Sequence, residues 1–148
     1  LVVHGTAVAL AGRAVLIRGP SGSGKSDLAL RFIALCDGLP PEGIAILVAD
    51  DQVEVRRDPQ GPLLSAPATI AGRIEVRGLG IVDLPHVASA HLALVVDLVS
   101  ADDVERMPEP RTCEIAGSTV PLVALAPFEA SAPAKLKLCL ACCTARKP

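Results

Sequence analysis

An α/β domain wound round a phosphate-binding loop is the fold class this chain predicts, on three observations. An unbroken apolar run at residues 14–17 leads into the glycine-rich segment GPSGSGKS, and a helical pattern begins directly after it. Leu28, Phe32 and Leu35 recur there at spacings of four and three. A second short apolar run, residues 44–49, ends on Asp50 and Asp51. Strand, glycine-rich loop, helix and a further buried strand form the context the phosphate-loop motif requires.

In chain order, residues 2–10 and 13–18 read as two strands joined at Ala11-Gly12, the second covered on both faces. Residues 19–24 are the loop and residues 25–36 the helix, which Gly38-Leu39-Pro40-Pro41 stops. Residues 44–49 are a buried strand. Val53 and Val55 then alternate with polar neighbours, so the chain continues as a half-buried strand. Residues 58–62, Asp-Pro-Gln-Gly-Pro, are turn chemistry. Residues 73–77 alternate strictly, Ile74 and Val76 against Arg73, Glu75 and Arg77, before Gly78-Leu79-Gly80 breaks the strand. Residues 92–99 are another buried strand, followed by a solvated turn at 102–106. Residues 112–115 and 119–124 pair as a hairpin, where Pro121 requires an edge or a bulge. Residues 134–145 form a last helix. The 148 residues contain no repeat and no domain-sized linker, so the expectation is one domain spanning 1–148.

Composition narrows the function. Lys plus Arg number 14 and Asp plus Glu 16, a net charge of −2, so the cationic surplus that drives binding to nucleic acid or an anionic membrane is absent. Hydrophobic residues make up 51% but aromatics only 1%, so the expected core is Ala, Val, Leu and Ile, with Phe32 and Phe128 as its only rings. No apolar run approaches the roughly 18 residues that cross a bilayer, and the first residues do not read as a secretory leader. Five cysteines without a spaced framework fit a reducing, cytoplasmic compartment.

The strongest signal is Gly19, Pro20, Ser21, Gly22, Ser23, Gly24, Lys25 and Ser26, a complete G-x-x-x-x-G-K-[ST] match. Glycines let the backbone curl so that several N–H groups face one phosphate, and the helix behind adds its positive end. Lys25 reaches the β and γ phosphates and the Ser26 hydroxyl holds a magnesium ion. Asp50 and Asp51 lie 25 and 26 residues beyond Lys25, placed to divide metal binding and proton acceptance between them. On residue type alone, Arg73, Glu75 and Arg77 are either an exposed strand face or the lining of a polyphosphate site. His86 and His91 match no metal template and read as surface. Cys139, Cys142 and Cys143 read as thiols buried on the last helix.

His4-Gly5 lies 15 residues before the loop, LVADD occupies residues 47–51 and IEVRGLGIVD residues 74–83. This set resembles the catalytic domain of the HPr kinase/phosphorylase family, most clearly between residues 4 and 83. The resemblance implies a central mixed β-sheet with flanking helices, related to phosphoenolpyruvate carboxykinase. It implies ATP and Mg2+ as cofactors, with phosphate transfer to a serine of the phosphocarrier protein HPr, in many members reversed by attack of inorganic phosphate. It also implies a homo-oligomer, a hexamer in the family. By the same resemblance Asp51 accepts the proton from the target serine and Asp50 assists. Glu75 joins Ser26 as a metal ligand, His4 is an accessory catalytic residue, and Arg77 with its following glycines shapes the site. Residues 121–133 depart from the family pattern because they contain no Arg. Two other readings are a P-loop kinase of small metabolites and a non-catalytic nucleotide-sensing module. Arginines after Arg77 are only Arg106, Arg111 and Arg146, too few for the Arg-rich lid of the first.

Overall fold

The computed structural model describes residues 1–36 and 43–145, with side chains to residue 142. Its strands are β1 (Val2–His4), β2 (Thr6–Leu10), β3 (Arg13–Arg18), β4 (Ala45–Ala49), β5 (Gln52–Asp58) and β6 (Gly61–Ser65). They continue as β7 (Arg73–Val76), β8 (Gly80–Asp83), β9 (Ala90–Leu98), β10 (Arg111–Ile115) and β11 (Ser118–Leu125). Helix α1 is Lys25–Leu35 and α2 is Ala132–Ala145. The tetrapeptide Gly38-Leu39-Pro40-Pro41 lies outside the described residues; within them the helix closes with the Cys36 N–H donating to the Phe32 carbonyl.

Nine strands form one mixed sheet in the order β1-β5-β6-β9-β3-β2-β4, with the β10–β11 hairpin joined through β11 to β9. β9 runs parallel to β3 and β11 and antiparallel to β6. β7 and β8 form a separate two-stranded ribbon. This is the mixed sheet the sequence led us to expect, but both helices pack on the same face of it. Its two ends are joined through very short connections. The first two strands of the series, β1 and β5, are joined to its last two, β2 and β4, by Gly5 alone and by Asp50-Asp51 alone. The sheet therefore curls until these ends meet, and the Gly5 N–H donates to the Asp51 carbonyl across the seam (3.0 Å). Residues 2–10 are thus two strands instead of one. A Cβ on Gly5 would lie 2.8 Å from the Ile17 carbonyl oxygen, so the crossing admits no larger residue.

The curl explains how alternate residues of one strand are all buried. Val8, Leu10, Val15, Ile17, Leu94 and Val96 face the helices and pack with Leu28, Phe32, Leu136 and Leu140. Their neighbours Ala7, Ala9, Ala14 and Leu16 face inward, against Val53, Val55, Leu64, Val95 and Val120 from other parts of the same sheet. Alanines on the concave side give the strands room to approach. Of the two aromatic rings only Phe32 is in this core; Phe128 is 72% exposed, contrary to the sequence expectation.

Proline placement accounts for two other departures. Residues 61–65 continue as β6 despite Pro62, and Pro121 sits inside β11. With two-residue turns at Pro59-Gln60 and Ala116-Gly117, the pairs Arg57↔Pro62 and Thr112↔Pro121 alternate into positions that exchange no hydrogen bonds. Each proline nitrogen therefore points away from its hairpin partner and toward the side of β9, whose pairing starts one residue later, at Leu63 and Leu122. Ala116 and Gly117 both have positive φ, as the hairpin turn requires.

Cys142 is exposed and Cys139 half-buried, so the last helix does not bury all its thiols; the Cys143 side chain lies outside the described residues. His86 is exposed as expected, whereas His91 is half-buried and its Nε2 lies 2.6 Å from the Asp58 carboxylate. Among the described residues no helix is long and apolar enough to cross a membrane.

Candidate active site

β3 delivers the chain to the phosphate loop from a fixed point. At its last residue the Arg18 guanidinium forks onto Asp97 of β9 (2.8 and 3.0 Å), and this hydrogen bonding raises the Arg18 pKa above its ordinary value. Burial pushes the nearby Cys113 thiol up as well. The loop then turns through Gly22 (φ 80°) and Gly24 (φ 97°), left-handed conformations that favour glycine, and α1 starts at Lys25. Lys25 is nearly buried, and its Nζ donates to the carbonyls of Gly19 (2.9 Å) and Pro20 (3.0 Å). The Ser23 N–H donates to the Pro20 carbonyl (3.1 Å), closing the curl. A Cβ on Gly19 would fall 2.5 Å from Ser23 Oγ. Gly19, Pro20 and Ser23 thus form the base of the loop, while Ser21, Gly22, Gly24, Lys25 and Ser26 face a cavity of about 1040 Å³.

The seam of the sheet supplies the opposite wall. Asp50 is buried and collects three donors: Ser26 Oγ (2.6 Å) and Thr6 Oγ1 (2.9 Å) on Oδ1, and the Glu75 N–H (3.3 Å) on Oδ2. Asp51, the next residue, has φ 69°, a conformation uncommon outside glycine though Asp tolerates it. Its side chain is 67% exposed, with one oxygen 3.5 Å from His4 Nδ1. Adjacent carboxylates therefore occupy different surroundings, one tied to the loop and one free to meet a solvent-borne group. The β7–β8 ribbon brings Arg73, Glu75 and Arg77 to the same cavity. The Arg73 Nε lies 3.6 Å from Asp83 across that ribbon.

His4, Lys25, Ser26, Asp50, Asp51, Glu75 and Arg77 thus line one cavity, although they come from four places in the chain. Thr6 and Phe128 are among the lining residues that sequence reasoning missed. Thr6, a hydroxyl in an otherwise apolar stretch, is fully buried against Asp50; its polarity there was the available signal. Phe128 was assigned to the core on its side chain alone, and nothing local in the sequence marks it as exposed.

The donor set fits magnesium. Among the described residues no three His, Cys, Asp or Glu side chains cluster. A magnesium ion bound together with phosphates needs only one or two carboxylates and keeps water or phosphate oxygens elsewhere. Ser26 and Asp50, already in contact at the loop, with Glu75 on the same wall, meet that requirement.

Comparison with known proteins shows the family and the fold. The family model for the HPr serine kinase C-terminal domain matches residues 1–130. The HPr kinase/phosphorylase of Bordetella pertussis (strain Tohama I) is 38% identical over 117 residues, covering 72% of this chain and 35% of that protein. The enzyme of the same name from Geobacillus sp. (strain WCH70) is 39% identical over 104 residues, covering 65% of this chain and 31% of its own length. The chain therefore spans about a third of the curated relatives it matches. The solved structure of the Hpr(Ser) kinase/phosphatase from Coxiella burnetii superposes with a TM-score of 0.82 at 22% identity, covering 99% of this chain and 92% of that one. The fold is shared, and with the family model matched from the first residue to past β11, the chain belongs to the HPr serine kinase C-terminal domain family.

Proposed function

We propose that this chain is an ATP-dependent protein-serine kinase whose substrate is HPr. One observation carries the reading: the exposed Asp51 carboxylate and His4 stand in the same cavity as a complete phosphate loop. An acceptor hydroxyl and a terminal phosphate can meet there, and an open site admits a serine presented by another protein. The names of the relatives supply the identity of that protein.

In the proposed reaction the serine oxygen attacks the γ-phosphorus of ATP. The bond from that phosphorus to the β,γ-bridging oxygen breaks, ADP leaves, and the serine proton passes to Asp51. His4 orients the Asp51 carboxylate. Lys25 leaves its two loop carbonyls to meet charge on the transferring group, and the loop N–H groups hold the phosphates in line. Ser26, Asp50 and Glu75 would hold magnesium, which neutralises phosphate charge when bound. Arg77, with Gly78 and Gly80, shapes the acceptor side. The protein would act in the cytoplasm as a homo-oligomer, on a single domain spanning 1–148.

Intact-mass spectrometry of HPr after incubation with this chain, ATP and magnesium tests the reading. The expected result is one added phosphate on a serine, absent with Asp51→Asn. A second arm adds inorganic phosphate to the product and reads its removal, the reverse reaction named in the relatives. HPr of unchanged mass, with nucleotide bound, would overturn the protein-kinase assignment.

A further inference from the structure

The chain contains two phenylalanines and no tryptophan or tyrosine. One ring, Phe32, is wholly buried; the other, Phe128, is 72% exposed and lies on the wall of the phosphate-loop cavity. It rests against the loop itself. A Cβ placed on Gly24 would come within 3.0 Å of two atoms of the Phe128 ring, so the absence of a side chain at Gly24 lets the ring sit there.

Nor is the ring on a loose strap. The segment after β11 is tied to α1 by Arg31, whose guanidinium donates to the backbone carbonyls of Pro127 and Glu129. The same guanidinium is oriented by Asp27, one turn earlier on α1 (2.9 Å). Glu129 is held from the other side by Lys135 of α2 (2.9 Å). Both neighbours of Phe128 are therefore anchored to the helix that the phosphate loop opens, and the ring keeps its place relative to the phosphate-binding N–H groups.

We infer that Phe128 is the stacking platform for the base of the bound nucleotide. The inference rests on the reading of the loop as an ATP site. A polyphosphate seated in the loop carries its nucleoside beyond the loop, and no other phenyl or indole face is available in this chain to receive it. Every base presents a π-face, and burying that face against an aromatic ring is a common means of holding it.

The test compares the 148-residue chain with Phe128→Ala and Phe128→Trp, titrating ATP and inorganic tripolyphosphate separately, each with magnesium, by calorimetry. Phe128→Ala is expected to weaken ATP roughly tenfold, within the range of base–aromatic stacking, and to leave tripolyphosphate unchanged. Phe128→Trp is expected to restore ATP affinity. As the only indole in the chain, its fluorescence should respond to ATP and not to tripolyphosphate. Unchanged ATP affinity in Phe128→Ala, or an equal loss for both ligands, would overturn the platform while leaving the ATP site standing. An unsubstituted chain that binds neither ligand would overturn the ATP site, and the platform with it.

Discussion

Thr6→Val isolates the buried hydroxyl that holds Asp50. Valine keeps the shape and removes one donor. The lost bond runs 2.9 Å from a fully buried hydroxyl to a buried carboxylate oxygen. Hydrogen bonds to charged groups contribute about 1.5–3 kcal/mol, and the partner left behind here is charged and shielded from water. For a chain of this size, about 2 kcal/mol corresponds to a fall of roughly 4–8 °C in Tm. The same oxygen also accepts from Ser26 at 2.6 Å, so Ser26→Ala alone leaves Thr6 in place. With both hydroxyls gone, only the Glu75 N–H remains on the carboxylate, at 3.3 Å on the other oxygen. The double variant should therefore lose more than the sum of the single losses, by a coupling of about 0.5–3 kcal/mol. Urea unfolding of the four chains measures this. A Thr6→Val chain within about 0.5 kcal/mol of the parent, or strictly additive losses, would refute Asp50 as the hub of the seam, since changes of that size are typical of positions away from any special feature.

Three other outcomes follow from particular contacts. Lys25→Ala should lower kcat for phosphoryl transfer by about 10²–10³-fold, the usual loss for one electrostatic donor, while circular dichroism reports an intact fold; retained turnover would remove Lys25 from the chemistry. Phe32→Ala should cost about 3–5 kcal/mol in denaturant unfolding, because the ring is fully buried in the core between α1 and the sheet. The hydrogen bond from His91 holds Asp58 below its ordinary value of 3.8. The stabilisation this shift gives is fully present above the unfolded value and is lost as pH falls through the lower folded value. The gap in urea midpoint between the parent and Asp58→Asn should then be level near neutral pH and narrow only below about pH 4; a gap that closes near neutrality would contradict that assignment.

Sequence pattern identified the parts of the site that are continuous in the chain. β3, the phosphate loop and α1 fall where the apolar run, the glycines and the helical period put them, because each is set by neighbours within a turn or a few residues. The β10–β11 hairpin was legible too, but not its two-residue turn, which seats Pro121 inside β11 without an edge or a bulge. What escaped depends on closure. Gly5 looks like one weak point in a long strand until β1 proves to open the strand order and β2 to stand beside its far end. Residues 61–65 look like the tail of a turn until Pro62 is seen in a position that needs no N–H. Phe128 looks like core by composition, and only the Arg31 bonds to its neighbours show that it is held at the surface.

The closure also explains why the two aspartates, side by side in sequence, differ in surroundings. β4 and β5 belong to opposite ends of the sheet and run in the same sense, so the chain must bend within Asp50-Asp51 to cross the seam. The positive φ at Asp51 is where it does so, and the Gln52 N–H returns to the Asp50 carbonyl (2.8 Å). The bend sends Asp50 inward to Thr6 and Ser26 and Asp51 outward to His4. His4 and Thr6 flank Gly5, the other crossing of the same seam, so each aspartate meets its partner from one side of that glycine. A curled sheet whose ends are joined by one residue and by two thus puts a buried, hydrogen-bonded carboxylate and an exposed one next to each other beside the phosphate loop. Strain at Asp51 is the local cost of that placement.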